Sequence, residues 1–267
     1  MKTATRVQVA EDRNQRSEVR GQRSGWSSTS SIRNGARAFS LIELLVVIGV
    51  IVLLAGLTLP VMQGVSAAQA KHRARVELGA IETAIMNYKT KLGYYPPDNP
   101  LNPADWYINQ LYYELLGTTE TVGPTGQPVS YQTLDGSASL AVGNFQAAFY
   151  SGTGVTGFMN CSKAGADDNV AKAVKFLERL RPDRFLEVKS LPQCTVLGVS
   201  MAGSPVFTGR VNGEIVPYGY NMSSPQHNPG SFDLWVDIIV GGKTNRISNW
   251  SAKPIIVYYN TLANAYP

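Results

Sequence analysis

The feature that most constrains this chain is an apolar run, "LIELLVVIGVIVLLAGLTLPVM", Leu41 to Met62, broken near its start by one carboxylate, Glu43. A helix crosses the hydrocarbon core of a bilayer with roughly 20 apolar residues, so the run has the length for one span. The other apolar stretches, "FDLWVDIIVGG" and "PIIVYYN", are too short and read as strands. By insertion scales an acidic residue at the centre of such a helix costs on the order of 3 kcal/mol, less near an end, and one that stays charged needs a partner. No Lys, Arg or His occurs between Ala38 and Lys71. The most economical partner is the α-amino group that a cut before Phe39 would create, a little over one helical turn from Glu43.

Charge is distributed unevenly. The formal net charge is +5, and residues 1–38 alone hold eight Lys and Arg against three acidic residues, while the rest of the chain has 16 of each sign. The basic balance therefore belongs to the N-terminal segment, and the remainder carries no electrostatic footprint for nucleic acid. Residues 1–38 are polar, rich in Ser, Arg and Gln, and read as a basic leader that is removed or has no core of its own. Arg33 and Arg37 precede the apolar run, and Lys71, Arg73 and Arg75 follow it. The total favours an N-terminus inside the cell, although near the membrane the two flanks are almost balanced.

"AFSLIELLVVIGVIVLLAGLTLP" closely resembles the N-terminus of type IV pilins and type II secretion pseudopilins. In that family a basic leader ends in a small residue, a prepilin peptidase cuts before an aromatic residue, the new N-terminus is methylated, and the fifth mature residue is Glu. The resemblance implies cleavage between Ala38 and Phe39, N-methylation of Phe39, and assembly roles for Glu43 and for Pro60, near which the family's helix melts as filaments form. Two departures stand out: the family usually has Gly where this chain has Ala38, and this leader is longer than is common. An ordinary signal peptide would end in an A-x-A site, which "AQA" at Ala68 to Ala70 supplies. Its apolar core, however, would be shorter and would lack Glu43. A plain single-pass anchor whose Glu43 reaches the interface is the other simple reading.

Beyond Pro60 the helical pattern continues. Val65, Ala68, His72, Val76, Ala80, Ala84 and Tyr88 fall at spacings of three and four, widened by Ile81, Ile85 and Leu92, and Gly93 followed by "YYPP" supplies the stop. The spacing predicts a membrane part over 39–62, a projecting amphipathic part over 63–93 and a globular domain over 94–267. Within that domain "NPADWYINQLYYELLG" suggests a short helix capped by Asn102 or Asp105. "DDNVAKAVKFLERLRPD" suggests a second helix capped at Asp167 or Asp168 and stopped by Pro182. Asn212-Gly213 between strand-like runs signals a hairpin, and "FDLWVDIIV" and "PIIVYYN" add strands. The segment from "YGYNMSSPQHNPGSFDLW" to "ISNW" is also similar to the C-terminal sheet of the major pseudopilin of type II secretion. Relatives of that kind often hold calcium in the intervening loop. Here the loop keeps Asp237, a weak calcium candidate, but has Asn245 and Arg246 where an acid would be expected.

Motifs for chemistry are poor. "GTGVTG", Gly152 to Gly157, fits a dinucleotide fingerprint only in letters, because no helix pattern or ribose-binding acid follows at the right distance. "GVSMA", Gly198 to Ala202, approaches a nucleophile elbow, yet the two histidines, His72 and His227, lie in a helix pattern and a Pro- and Asn-rich loop. Two His and two Cys form no zinc spacing. Cys161 and Cys194 could pair in an exported domain, with a stabilisation of roughly 3 to 4 kcal/mol in the chain-entropy model, and two unpaired buried thiols are the alternative.

The expectation is an α+β, pilin-like fold, one long N-terminal helix packed on a C-terminal antiparallel sheet, in a structural subunit without enzymatic activity. By resemblance it is a single-pass inner-membrane protein whose C-terminal domain lies in the periplasm or outside the cell. The partners implied are prepilin peptidase, other pilins or pseudopilins, an inner-membrane assembly platform and an outer-membrane secretin. A membrane-anchored binding or enzymatic domain that never polymerises is the alternative.

Overall fold

Side chains that alternate or recur every three to four residues decide which parts of this chain can bury a face, and only some do. The computed structural model describes residues 39–99, 106–150, 157–163, 172–178, 180–188, 193–201 and 215–258, and within its first helix the backbone alone over 57–64. The chain divides into two units, Met1–Val52 and Leu53–Pro267.

Helix α1, Leu41–Leu92, begins in the first unit and ends in the second. In the first unit every large apolar side chain from Leu41 to Val52 is at least 51% exposed. The second unit buries the C-terminal part of the predicted stripe, Ile81, Ala84, Ile85 and Tyr88, and adds Ala74 and Leu78 to it, whereas Val65 and Val76 are exposed. Spacings of four and three admit either Leu78 or Val76 beside Ile81; the longer side chain of Leu78 buries more apolar area and decides the face. Gly93, at φ 91°, ends α1 where the sequence places the stop.

After α1 come α2 (Leu111–Leu116), strands β1 (Thr118–Val122), β2 (Pro128–Thr133) and β3 (Ser139–Ala141), and α3 (Val142–Phe145), which runs into a wide turn over Gln146–Tyr150. Strand β4 (Cys161–Ser162) and a 3₁₀ turn at Pro182–Arg184 follow. The chain then forms β5 (Phe185–Val188), β6 (Cys194–Ser200), β7 (Ile215–Pro217), β8 (Gly219–Asn221), β9 (Asp233–Val240), β10 (Lys243–Ser248) and β11 (Ser251–Val257). These make three sheets, ordered β3-β2-β1-β4, β5-β6-β7 and β11-β10-β9-β8. All pairings are antiparallel except that of β1 with β4.

This corrects the expected fold. A single C-terminal sheet against one long apolar helix does not describe the molecule: the strands are distributed over three sheets, one of them complete before residue 163, and further short helices intervene. Among the described residues no helix is long and apolar enough to cross a membrane. The span read from the sequence includes 57–62, whose side chains lie outside the described residues, and from Lys71 onward α1 is amphipathic.

Two local expectations also change. The helix predicted around 167–183 is absent over its described residues 172–178, which run without regular structure. Their backbone groups are captured elsewhere: Ala173 N donates to Ser162 Oγ, Val174 N to Asn160 Oδ1, and Phe176 N and Leu177 N to Leu115 O. The short helix begins at Leu111 with Gln110 before it, and Asn102 and Asp105 lie outside the described residues, as do Asp167, Asp168 and the Asn212-Gly213 turn. A two-residue hairpin joins β9 to β10 through Gly241 and Gly242, at φ 60° and 71°, the left-handed pair that such a turn needs.

Candidate functional site

The N-terminal site is built by Ser40 and Glu43 at the start of α1. Glu43 N donates to Ser40 Oγ at 3.2 Å, and Ser40 N donates back to Glu43 Oε2 at 3.1 Å. This reciprocal arrangement is a capping box, which satisfies two of the helix's free amide donors and sets a carboxylate at the positive end of its dipole. Glu43, taken from the sequence as partnerless, thus has a partner three residues away. The S-x-x-E spacing was the available signal, and treating Glu43 as a solitary charge obscured it. Phe39 is 82% exposed just before the helix. Ala38 lies outside the described residues, and Pro60 lies within α1 with its side chain outside them.

The calcium candidate has a different occupant. Asp237 and Arg246 face each other across β9 and β10, and Arg246 donates from Nε to Asp237 Oδ1 and from Nη2 to Oδ2, each at 2.9 Å. Tyr107 adds a hydroxyl donor to Asp237 Oδ2 at 3.1 Å, and Trp235 Nε1 donates to that hydroxyl at 3.2 Å. Both oxygens of Asp237 are thereby filled, and the supposed loop is a tight hairpin. A calcium ion asks for six to eight oxygens, so these residues do not fit one. Among the described residues no group of three or more His, Cys, Asp or Glu could hold a metal ion.

Cys161 in β4 and Cys194 in β6 are not joined by a disulfide, so the expected bridge is not formed. Gly198 to Ser200 lie within β6, paired with β7, rather than on an elbow, and His72 is exposed on α1. Of "GTGVTG" only Gly157 is described.

Carboxylates elsewhere organise loops. Asp233 accepts from the amides of Gln226, His227 and Asn228, which folds the segment before β9 around one side chain. Asp98 does the same for Met222 and Ser223. The imidazole of His227 stacks on Trp250 at 4.3 Å. On α1, buried Glu77 is paired with Arg73 at 2.8 Å and with Arg184 at 2.6 Å.

Glu114 of α2 is fully buried and, among the described residues, has no cation paired with it. Its carboxylate accepts from Tyr88 Oη at 2.8 Å, Met159 N at 2.7 Å and Asn160 N at 2.9 Å. The side chain of Asn160 then reaches Glu114 O and both backbone groups of Val174. Burial pushes the Glu114 carboxyl above its ordinary range, and these three donors pull it back. An acid inside the apolar run "LYYELLG" was the sequence signal for this knot.

Beside it lies a cavity of about 450 Å³, lined by Glu120, Pro128, Tyr131, Phe158, Met159, Cys161 and Lys163 together with Gly157. Sheet register assembles it: Glu120 sits opposite Tyr131 in β1 and β2, and Cys161 lies beside Thr118 in β4 and β1. Tyr131 is 1% exposed, packs edge-on to Phe158 at 5.3 Å, and its hydroxyl has no hydrogen-bond partner among the described residues. Burial pushes that phenol up to about 12 and raises the Cys161 thiol. A Cβ at Gly157 would come within 2.8 Å of the hydroxyl, so glycine keeps this wall open. No spacing in the sequence announces a cavity whose walls come from strands and a connecting segment.

Comparison of the chain with family models, with curated proteins and with solved structures finds no match.

Proposed function

We propose that this chain is a structural subunit of a type II secretion pseudopilus or a type IV pilus-like filament, cut before Phe39 and assembled through the start of α1. The observation that carries the reading is the composition and exposure of that helix start. From Leu41 to Leu54 the large apolar side chains are 51% to 81% exposed, with Glu43 as the one charge among them. Such a surface requires cover that these residues do not give one another, and a lipid bilayer followed by neighbouring subunits supplies it. In this reading the protein resides in the bacterial inner membrane before assembly, with its C-terminal part in the periplasm or outside the cell. Prepilin peptidase makes the Phe39 amine, and Glu43 exchanges the Ser40 amide for that amine, its own or a neighbour's. The partners are other pilins or pseudopilins, an inner-membrane assembly platform and a secretin.

The test is Glu43→Ala in cells carrying the assembly machinery. The variant should insert in the membrane as the parent does and lose cross-linked multimers; multimers at parental yield would remove Glu43 from this role. A membrane-anchored binding domain is the second reading, favoured by the cavity at Tyr131.

A further inference from the structure

We propose that the cavity bounded by Tyr131, Glu120 and Lys163 is a binding site for a small zwitterion with an apolar side chain, an α-amino acid. Its volume of about 450 Å³ falls in the range of small-ligand sites. Tyr131 is almost completely buried, and its hydroxyl finds no partner among the described residues. A buried hydroxyl without a partner is a cost that a bound acceptor removes.

The charges on the rim specify the rest. Glu120 and Lys163 both line the cavity, and among the described residues neither is engaged in an ion pair. A ligand with a carboxylate takes donors from Lys163 Nζ and Tyr131 Oη, and its ammonium group is met by the Glu120 carboxylate. A ligand bearing one charge alone satisfies one side and leaves the other unmatched. Between these groups the walls are apolar, formed by Phe158, Met159 and Pro128, which suits an aliphatic or thioether side chain. Gly157 permits the arrangement, because a methyl group there would press on the Tyr131 hydroxyl. The inference stands apart from the filament reading, since every lining residue belongs to the second unit.

The experiment is isothermal titration of the purified full-length protein with L-leucine, N-acetyl-L-leucine and L-leucinamide at neutral pH. The two derivatives keep the side chain and each lacks one charge. L-leucine is expected to bind saturably at one site, with each derivative weaker by about tenfold or more, the loss of one charge-assisted contact. Tyr131→Phe, which keeps the ring packing, should weaken L-leucine by about tenfold while leaving the near-ultraviolet circular dichroism unchanged. Glu120→Gln should erase the preference for L-leucine over its N-acetyl derivative. Absence of saturable binding, equal binding of all three compounds, or a Tyr131→Phe variant that binds like the parent would overturn the proposal.

Discussion

The start of α1 and the C-terminal sheet invert each other's chemistry. In the first, apolar side chains from Leu41 to Leu54 stand exposed and a charge is held by its own helix end. In the second, Asp233, Asp237, Asn245 and Arg246 are buried, and each has partners within the fold. Burial of a charge is tolerable when every oxygen and N–H is matched, and exposure of an apolar helix is tolerable when something outside the chain covers it. The sheet thus matches its own buried charges, whereas among the described residues the apolar helix start is left uncovered.

The largest effect should come from breaking the sheet's internal match. Arg246→Met leaves Asp237 buried with only Tyr107 and its remaining contacts, and should cost about 3 to 5 kcal/mol in urea unfolding. Adding Asp237→Leu to that variant should recover much of the loss, because the cost lies in the orphaned charge rather than in a missing attraction. Next comes packing: Gly219 sits opposite Trp235, and a Cβ there would meet the indole at 2.3 Å. Gly219→Ala should therefore destabilise by about 1 to 3 kcal/mol, seen in the same unfolding curves together with a changed Trp emission.

Glu114 sharpens the comparison, being buried and matched by neutral donors only. Its carboxyl is raised above 4.5 by burial, so the folded state keeps a proton that the unfolded chain has already lost. The stability this group contributes is full below 4.5 and declines as the pH rises through the folded-state value. Glu114→Gln should flatten that slope, measured as the difference in urea midpoint between variant and parent from pH 4.5 upward. The smallest effect belongs to the helix start: Ser40→Ala removes the capping box and should cost about 1 kcal/mol of local helix stability, read as faster amide exchange in the first turn.

Much of the local structure was legible. β-branched and aromatic residues mark β9 and β11, and Gly93 before two prolines marks the end of α1. The reading failed where tertiary contacts outvoted local preference. Residues 172–178 carry a helical pattern, yet Asn160 and Leu115 take their amides, and a helix cannot form once its donors are committed elsewhere. The charge of Glu77 favours the solvent side of α1, and Arg73 and Arg184 allow it inside. The resemblance implied a loop after Asp237, but Gly241 and Gly242 adopt the left-handed turn that closes a hairpin. At the candidate sites, the resemblance singled out Phe39 and Glu43, while nothing in one dimension brings Glu120, Tyr131 and Lys163 to one cavity.

The central claim is that the exposed start of α1 is the working surface of a processed subunit. Mass analysis of the protein's N-terminus, taken from membranes of cells that express the full chain with prepilin peptidase, tests it most directly. The account predicts a chain beginning at Phe39 and carrying one N-methyl group; an intact leader, or a chain beginning at Lys71, would contradict it.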